Sequence, residues 1–223
     1  MRVVVLLGAP GSGKGTQAPI LSAQLGLPHV ATGDLFRAAV RDGSPVGIEA
    51  RRYMERGQLV PDDITVRMLL ERLAQPDASA GVILDGFPRN RPQAHALDSA
   101  LTERGALVDR AISIDVPPDE LVERMSGRWV CRTSGHVYNE RTNPPRTSGH
   151  CDLDGSELIQ RDDDRAETIR VRLDLTLSSL AEVSEHYAAR GVLRSVDGRR
   201  GIEQVTADLV AALTDDPAPA GSV

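Results

Sequence analysis

Lysine is nearly missing from this chain of 223 residues: of 26 basic residues only Lys14 is a lysine, and the rest are arginine. A guanidinium is a broad planar fork, whereas an ammonium is a slim point charge on a flexible stem. A single ammonium retained in an arginine-using chain therefore singles out its position, a tight nest for an anion. Cysteine is scarce too. Two residues, Cys131 and Cys151, exclude a disulfide scaffold and make the cytosol the default compartment. No apolar run approaches the roughly 20 residues that span a bilayer, so no membrane partner is expected. The apolar opening Met1–Leu7 lacks a small-residue cleavage site, which argues against a secretory leader. Nor is there an excess of positive charge: the net charge is −6, which argues against a nucleic-acid partner. There is no internal repeat. The remaining composition, 40% hydrophobic and 26% charged, suits one globular domain carrying inserted lobes.

The lone lysine stands in the most informative stretch. Arg2–Leu7 is a short apolar run, and Gly8 to Thr16 (GAPGSGKGT) follows it directly. A buried strand, a glycine-rich turn and a helix start, in that order, form a phosphate cradle. Gly8, Gly11, Gly13 and Gly15 let backbone amides face an anion with no Cβ in the way. The following helix aims its free N–H groups at the same point. One detail departs from the common G-x-x-x-x-G-K-[ST] pattern: Gly15 follows the lysine and the hydroxyl comes one residue later, at Thr16. Direct ligation of magnesium by Thr16 is therefore not expected.

Four more apolar segments read as strands: His29–Ala31, Gly81–Leu84, Ala111–Val116 and Val192–Val196. Helical stretches separate them, so the fold class is α/β, a five-stranded parallel sheet flanked by helices. The first helix, about Lys14–Leu25, contains Pro19 and should be irregular there. After Ala31–Arg37 a polar helical stretch runs to Gln58-Leu59-Val60-Pro61. Asp62-Asp63 caps a helix carrying Ile64, Met68, Leu69 and Leu73, and another helix covers about Arg91–Glu103. Residues 127–164 hold Pro144-Pro145, several glycines and both cysteines, and read as a small lobe outside the core. Asp164-x-x-Glu167 looks like a capping box for a long helix with Ile169, Leu173, Leu177, Leu180, Val183 and Tyr187 on one face. A last helix spans about Gly201–Leu213, and the tail from Asp215 to Val223 has the character of a disordered segment.

Arginines cluster at strand ends and in the small lobe: Arg37, Arg89, Arg124, Arg128, Arg161 and Arg172. Phosphoryl transfer between polyphosphates requires cations that clamp and neutralise, and little covalent work. The segments Gly8–Thr16, Thr32–Arg37, Leu59-Val60-Pro61, Asp85–Arg89 with Gln93, Gly127-Arg128 and Arg161 through Arg172 resemble the adenylate kinases, of the long-lid form. The likeness runs from Val3 to about Leu213. It implies a P-loop kinase with a core of residues 1–30, 61–126 and 165–214, an AMP-binding lobe of 31–60 and a lid of 127–164. It implies the reaction ATP + AMP = 2 ADP, with magnesium and a monomeric, cytoplasmic enzyme. By the resemblance Gly11, Ser12, Gly13, Lys14, Gly15 and Thr16 hold ATP phosphates, and Arg124, Arg128, Val137, Tyr138 and Arg200 contact ATP. Thr32, Arg37, Gln58, Leu59, Val60, Gly86, Phe87, Pro88, Arg89 and Gln93 form the AMP site, joined by Arg161 and Arg172. Lys14, Arg89, Arg128, Arg161 and Arg172 carry catalysis. Asp85 holds magnesium through water, and Asp163 and Asp164 help set the closed lid.

The lid of that family has a structural zinc site, and Cys131, Ser134, Cys151 and Asp154 occupy its spacing. Ser134 is a poor ligand. His136 or His150 could stand in, though neither holds the matching position. Three outcomes stay open: weak zinc held by Cys131, Cys151 and Asp154; a Cys131–Cys151 contact without metal; or a hydrogen-bonded network. Two other functions also stay open: a kinase for UMP, CMP or GMP, and a non-catalytic nucleotide sensor. Thr32 and Gln93 favour adenine, and no loop lysine or clamp arginine is missing.

Overall fold

A computed structural model describes residues 1–161, 164 and 166–214, with the side chains of Ala166 and Glu167 left out. Five parallel strands form the central sheet: β1 (Arg2–Leu7), β2 (His29–Ala31), β3 (Gly81–Asp85), β4 (Arg110–Asp115) and β8 (Leu193–Asp197), in the order β2-β3-β1-β4-β8. The apolar runs become strands because both faces of the sheet are covered. On one face Val3, Val5, Leu7, Val82 and Leu84 pack on α4 (Asp62–Leu73), α5 (Arg91–Thr102) and α7 (Ala166–Ala188). On the other, Val4, Leu6, Ile83, Ile112 and Ile114 pack on α1 (Lys14–Leu25) and α8 (Ile202–Thr214). Each fully buried side chain of this kind contributes about 1.5–3 kcal/mol.

Strand β1 pairs with β3 on one side and β4 on the other, so chain direction diverges at its carboxyl end. That switch point is where an open α/β sheet presents its ligand crevice. The register lines up Leu6 with Asp85 and Ala31 with Asp85, placing the loop after β1 beside the ends of β2 and β3.

Two smaller parts stand on this frame. Helices α2 (Thr32–Arg41) and α3 (Pro45–Met54) share a cluster of Phe36, Ala50, Val60 and Ile64. After α6 (Pro118–Ser126), strands β5 (Arg128–Cys131), β6 (Val137–Asn139) and β7 (Leu158–Ile159) make an antiparallel sheet ordered β6-β5-β7. Its core is Cys131, Tyr138, Cys151 and Leu158, with Trp129 against them. Among the described residues no helix is long and apolar enough to cross a membrane.

Several sequence expectations are corrected. Helix α1 is continuous from Lys14 to Leu25 with the exposed Pro19 inside it, so the proline does not end the helix, although it has no amide to give the preceding turn. Asp62 does not cap α4: Pro61 takes that position, and the Asp62 carboxylate accepts from Asn90 Nδ2 at 3.0 Å and Gln93 Nε2 at 2.7 Å. Leu177 lies on the exposed side of α7, while Ile169, Leu173, Val183 and Tyr187 are buried. Strand β3 keeps its start and extends one residue to Asp85, where it pairs with Leu6; β4 lies one residue earlier than expected, from Arg110, which pairs with Val4, to Asp115; and β8 lies one residue later, ending where Asp197 pairs with Asp115. Helix α6 is an element beyond the sequence expectations, opened by Pro118 and the acidic Asp119 and Glu120 and seated by the i,i+4 pair Leu121 and Met125. Asp163, the Glu167 half of the capping box and the tail after Thr214 lie outside the described residues.

Tyr187, on α7, is fully buried, and its hydroxyl has no hydrogen-bond partner among the described residues. Burial, aided by the charge of Asp98, pushes its ionisation upward. Removing an unpaired buried hydroxyl relieves its desolvation cost. Tyr187→Phe should therefore raise stability by about 1 kcal/mol in urea denaturation. A loss of that size would mean that the hydroxyl is satisfied.

Candidate active site

The loop after β1 turns on glycines in the left-handed region, with Gly8 at φ 142° and Gly13 at φ 102°. A Cβ on Gly8 would also lie 2.6 Å from Ser12 Oγ and 2.9 Å from the Ile114 carbonyl. Gly15, expected to share this role, is instead helical within α1. Gly13 occupies the N-cap position and no side chain caps the first turn, so the helix end keeps its positive character for an incoming anion. Ser12 is buried, and its hydroxyl has no partner among the described residues.

Lys14 folds back under this loop. Its Nζ donates to the carbonyls of Gly8 at 2.7 Å and Ala9 at 3.0 Å. Burial lowers its pKa to about 8; Asp85 opposes that change, and the positive charges of Arg89, Arg128 and Arg172 add to it. Those four groups are the charges gathered around the ammonium. Asp85, at the end of β3, has His29 Nε2 3.4 Å from its Oδ2. Burial favours its neutral acid, but His29 and Lys14 outweigh that and hold the carboxyl below its usual range.

The mouth beside β2 and β3 brings together most of the expected AMP-site residues. Thr32 Oγ1 donates to the Gly86 carbonyl at 2.9 Å, and Arg89 Nε donates to the same oxygen at 2.8 Å. Gln93 is buried; its Oε1 accepts from Arg89 N at 2.8 Å while its Nε2 is tied to Asp62. Gln93 thus orients the Arg89 backbone, with Asp62 orienting Gln93. Phe87 and Pro88 are buried between them, and Arg37 pairs with Asp34. Gln58 is exposed, Leu59 half-buried and Val60 part of the α2–α3 cluster. Just before them Gly57, at φ 68°, lies so close to α7 that a Cβ would meet Thr168 Cγ2 and Arg172 Cγ, each at 2.9 Å.

On the far side Asp164, its carboxylate fully buried, bridges two arginines. Arg128 binds it through both Nε and a terminal nitrogen, and Arg172 Nη1 donates to it at 3.0 Å. The half-buried Arg161 contributes its carbonyl to the Asp164 amide. Arg124 pairs with Glu120 within α6, and its carbonyl accepts from Asn139 of the three-stranded sheet. Val137 and Tyr138 are on β6, with Tyr138 buried and its hydroxyl accepting from the Asp152 amide at 2.8 Å. Arg200 is exposed and pairs with Asp208 of α8. Thr16 is half-buried in the first turn of α1.

The small sheet carries its own polar centre. Cys131 Sγ, His136 Nδ1, Cys151 Sγ and an Asp154 oxygen all lie within 4.8 Å of one another. Hydrogen bonds from the Ser134 and Ser156 hydroxyls keep the Asp154 carboxyl far below the ordinary carboxylate range. His136, not Ser134, completes the group of four donors, and His150 stands apart with Nδ1 3.1 Å from the Ser148 carbonyl.

Sequence reasoning missed His29, Asp62 and Gly57. Their partners, Asp85, Gln93 and Arg172, are distant along the chain, so no local spacing points to them.

A phosphate loop at the switch point of a parallel sheet, with a buried ammonium and converging arginines, defines a P-loop phosphotransferase. The family model described as Adenylate kinase matches residues 6–192. A protein named adenylate kinase from Syntrophomonas wolfei is 51% identical over 92% of this chain and 96% of its own length. One from Symbiobacterium thermophilum is 50% identical over 94% of this chain and 97% of its own length, and one from Streptomyces griseus is 47% identical, with 94% and 96% covered. The chain belongs to the adenylate kinase family. It is an enzyme whose phosphoryl acceptor is itself a phosphate.

Three expectations follow from the geometry. Between about pH 8 and the free-lysine value of 10.5 the unfolded chain holds more protons than the folded one, so the Lys14 contribution to stability rises with pH there. Anionic phosphates reverse the pKa shift: tripolyphosphate binding about one pH unit above the Lys14 pKa should take up protons, read from calorimetry in buffers of different ionisation enthalpy. Binding without proton uptake would place the ammonium away from the phosphates. For Gly57→Ala, the new methyl must push α3 and α7 apart, raising the KM for the monophosphate severalfold while that for the triphosphate changes less.

Proposed function

We propose that this chain catalyses ATP + AMP ⇌ 2 ADP through the groups assembled around Lys14. The observation that carries the reading is that ammonium itself, desolvated under the loop and surrounded by Asp85, Arg89, Arg128 and Arg172. An AMP phosphate oxygen attacks the γ-phosphorus of ATP, the bond from that phosphorus to the β-phosphate oxygen breaks, and two ADP result. The nucleophile is already an anionic oxygen, so no general base is needed. Catalysis is positioning and charge stabilisation.

In this reading residues Gly11 to Thr16 hold the ATP phosphates and Lys14 reaches the transferring group. Arg37 and Arg89 grip the AMP phosphate, with Thr32 and Gln93 at the adenine. Arg128, Arg161 and Arg172 neutralise charge between the two nucleotides, and Arg124, Val137, Tyr138 and Arg200 contact ATP. Asp85, ionised and half-buried at a strand end, suits the holding of magnesium through water, where the ion would neutralise the ATP phosphates. Residues 127–164 act as the lid that excludes water from the transfer, a role for which the adenylate kinase lid is a standing example. The working form we infer is a cytoplasmic monomer; the free thiols of Cys131 and Cys151 fit a reducing compartment.

A coupled assay of nucleoside diphosphate formation from ATP with AMP, UMP, CMP or GMP tests the assignment, with AMP expected to be used far more efficiently. Lys14→Met should lower turnover by orders of magnitude with the circular dichroism spectrum unchanged. Near-normal turnover in that variant, or preference for another monophosphate, would refute the corresponding part. Tight binding of ATP and AMP without ADP formation would instead favour a sensor.

A further inference from the structure

The starts of α4 and α5 meet at one carboxylate. Asp62 stands in the first turn of α4, and Asn90 is the N-cap of α5. Asn90 Oδ1 accepts from the Gln93 amide at 2.9 Å, and its Nδ2 donates to both Asp62 oxygens at 3.0 Å. Gln93 Nε2 donates to Asp62 Oδ1 at 2.7 Å, and the Arg89 amide donates to Gln93 Oε1 at 2.8 Å. A carboxylate oxygen only accepts and a backbone N–H only donates. Both contacts therefore demand the same orientation of a carboxamide that could otherwise turn over, its nitrogen toward α4 and its oxygen toward the loop after β3.

We infer that Asp62 is a positioning residue that sets base choice at the monophosphate site: by fixing the Gln93 carboxamide in one orientation, it selects a 6-amino purine over a 6-oxo purine. The inference rests on the reading that Gln93 faces the AMP base. A carboxamide has two N–H bonds and an oxygen with two lone pairs. Asp62 and the Arg89 amide use one of each, which leaves one donor and one acceptor of the buried Gln93 for a ligand. Adenine presents a ring-nitrogen acceptor beside an amino donor, whereas a 6-oxopurine presents a ring N–H beside a carbonyl, the reverse order. Turned over, the same carboxamide would suit the 6-oxo base, so orientation decides where residue type does not.

The cost of the wrong base follows from burial. A buried site built to hydrogen-bond one edge leaves its own groups unpaired against the other, and those groups lose their partners with no water to replace them. Asp62 acts through Gln93. It is half-buried, and Asn90, whose oxygen is already committed to capping α5, holds the carboxylate with its nitrogen. A carboxylate is also favoured beside two helix starts. Without it the Gln93 N–H that points toward α4 has no acceptor, and turning the carboxamide is the way to relieve that cost.

Steady-state kinetics of the full chain with MgATP and either AMP or inosine monophosphate, its 6-oxo counterpart, test it. The wild-type chain should favour AMP at least about a hundredfold in kcat/KM. Asp62→Ala should lower that ratio about tenfold, by raising the KM for AMP while the KM for ATP stays within about twofold. Gln93→Ala should lower the ratio at least as far, and Asp62→Ala added to Gln93→Ala should lower it no further, since Asp62 then has nothing to orient. Asp62→Asn keeps one acceptor oxygen and the shape; its smaller loss, again absent on Gln93→Ala, keeps the test open should Asp62→Ala fold poorly. An unchanged ratio in both Asp62 variants would overturn the inference. So would losses that add in the double variant, which would mean that Asp62 supports the fold and does not act through Gln93. A wild-type ratio in Gln93→Ala would overturn it by a different route, placing the base away from Gln93, and wild-type preference for inosine monophosphate would refute the AMP assignment itself.

Discussion

Positive charge forced together in a desolvated space is the constraint that organises this molecule. Lys14 sits under its loop with its pKa brought down to about 8, burial being the main cause, and Arg89, Arg128 and Arg172 press on it electrostatically. Like charges so placed repel, and the fold holds them only through the elements that carry them: α1, the end of β3, β5 and α7. Two carboxylates, the half-buried Asp85 and the buried Asp164, offset part of that repulsion. A polyphosphate would offset the rest, and that imbalance is a physical basis for tight, selective binding of phosphate anions.

The carboxylates do their work differently. Asp85 sits at a strand end, where backbone pairing sets its position and His29 stands beside it. Asp164 instead joins the small sheet to the long helix, because Arg128 begins β5 while Arg172 lies on α7. Gly57 brings the α2–α3 part against that same helix at Thr168 and Arg172. Helix α7 is also anchored to α5 where Asp98 meets His186 at 2.6 Å and Arg190 beside it. It is therefore the common support on which both smaller parts meet the core, and a shift along it is felt by both.

The small sheet illustrates the difficulty of stabilising few residues. A lobe with a core of four buried residues cannot rely on hydrophobic burial alone. Its turns compensate with polar bonds gathered at Cys131, Cys151 and Asp154. That cluster is satisfied internally, its thiols, hydroxyls and carboxylate bonded to one another.

The five strands, the phosphate loop and the isolation of Lys14 were legible along the chain, because each depends on local order: an apolar run, a glycine pattern, a helix start. The arginines could be singled out as residue types in a familiar setting. Tertiary structure alone decided what they touch. Gln93 turns out to be held by Asp62, Arg128 and Arg172 share Asp164, and His136 moves in beside Cys151 where spacing pointed to Ser134. These partners lie up to tens of residues apart, and which side chain reaches which atom depends on packing geometry that no periodicity encodes. Local chemistry thus marked the glycine loop and its lysine as a cradle for an anion, while the folded arrangement decided which groups surround and brace Lys14, because those partners come from elements far apart along the chain.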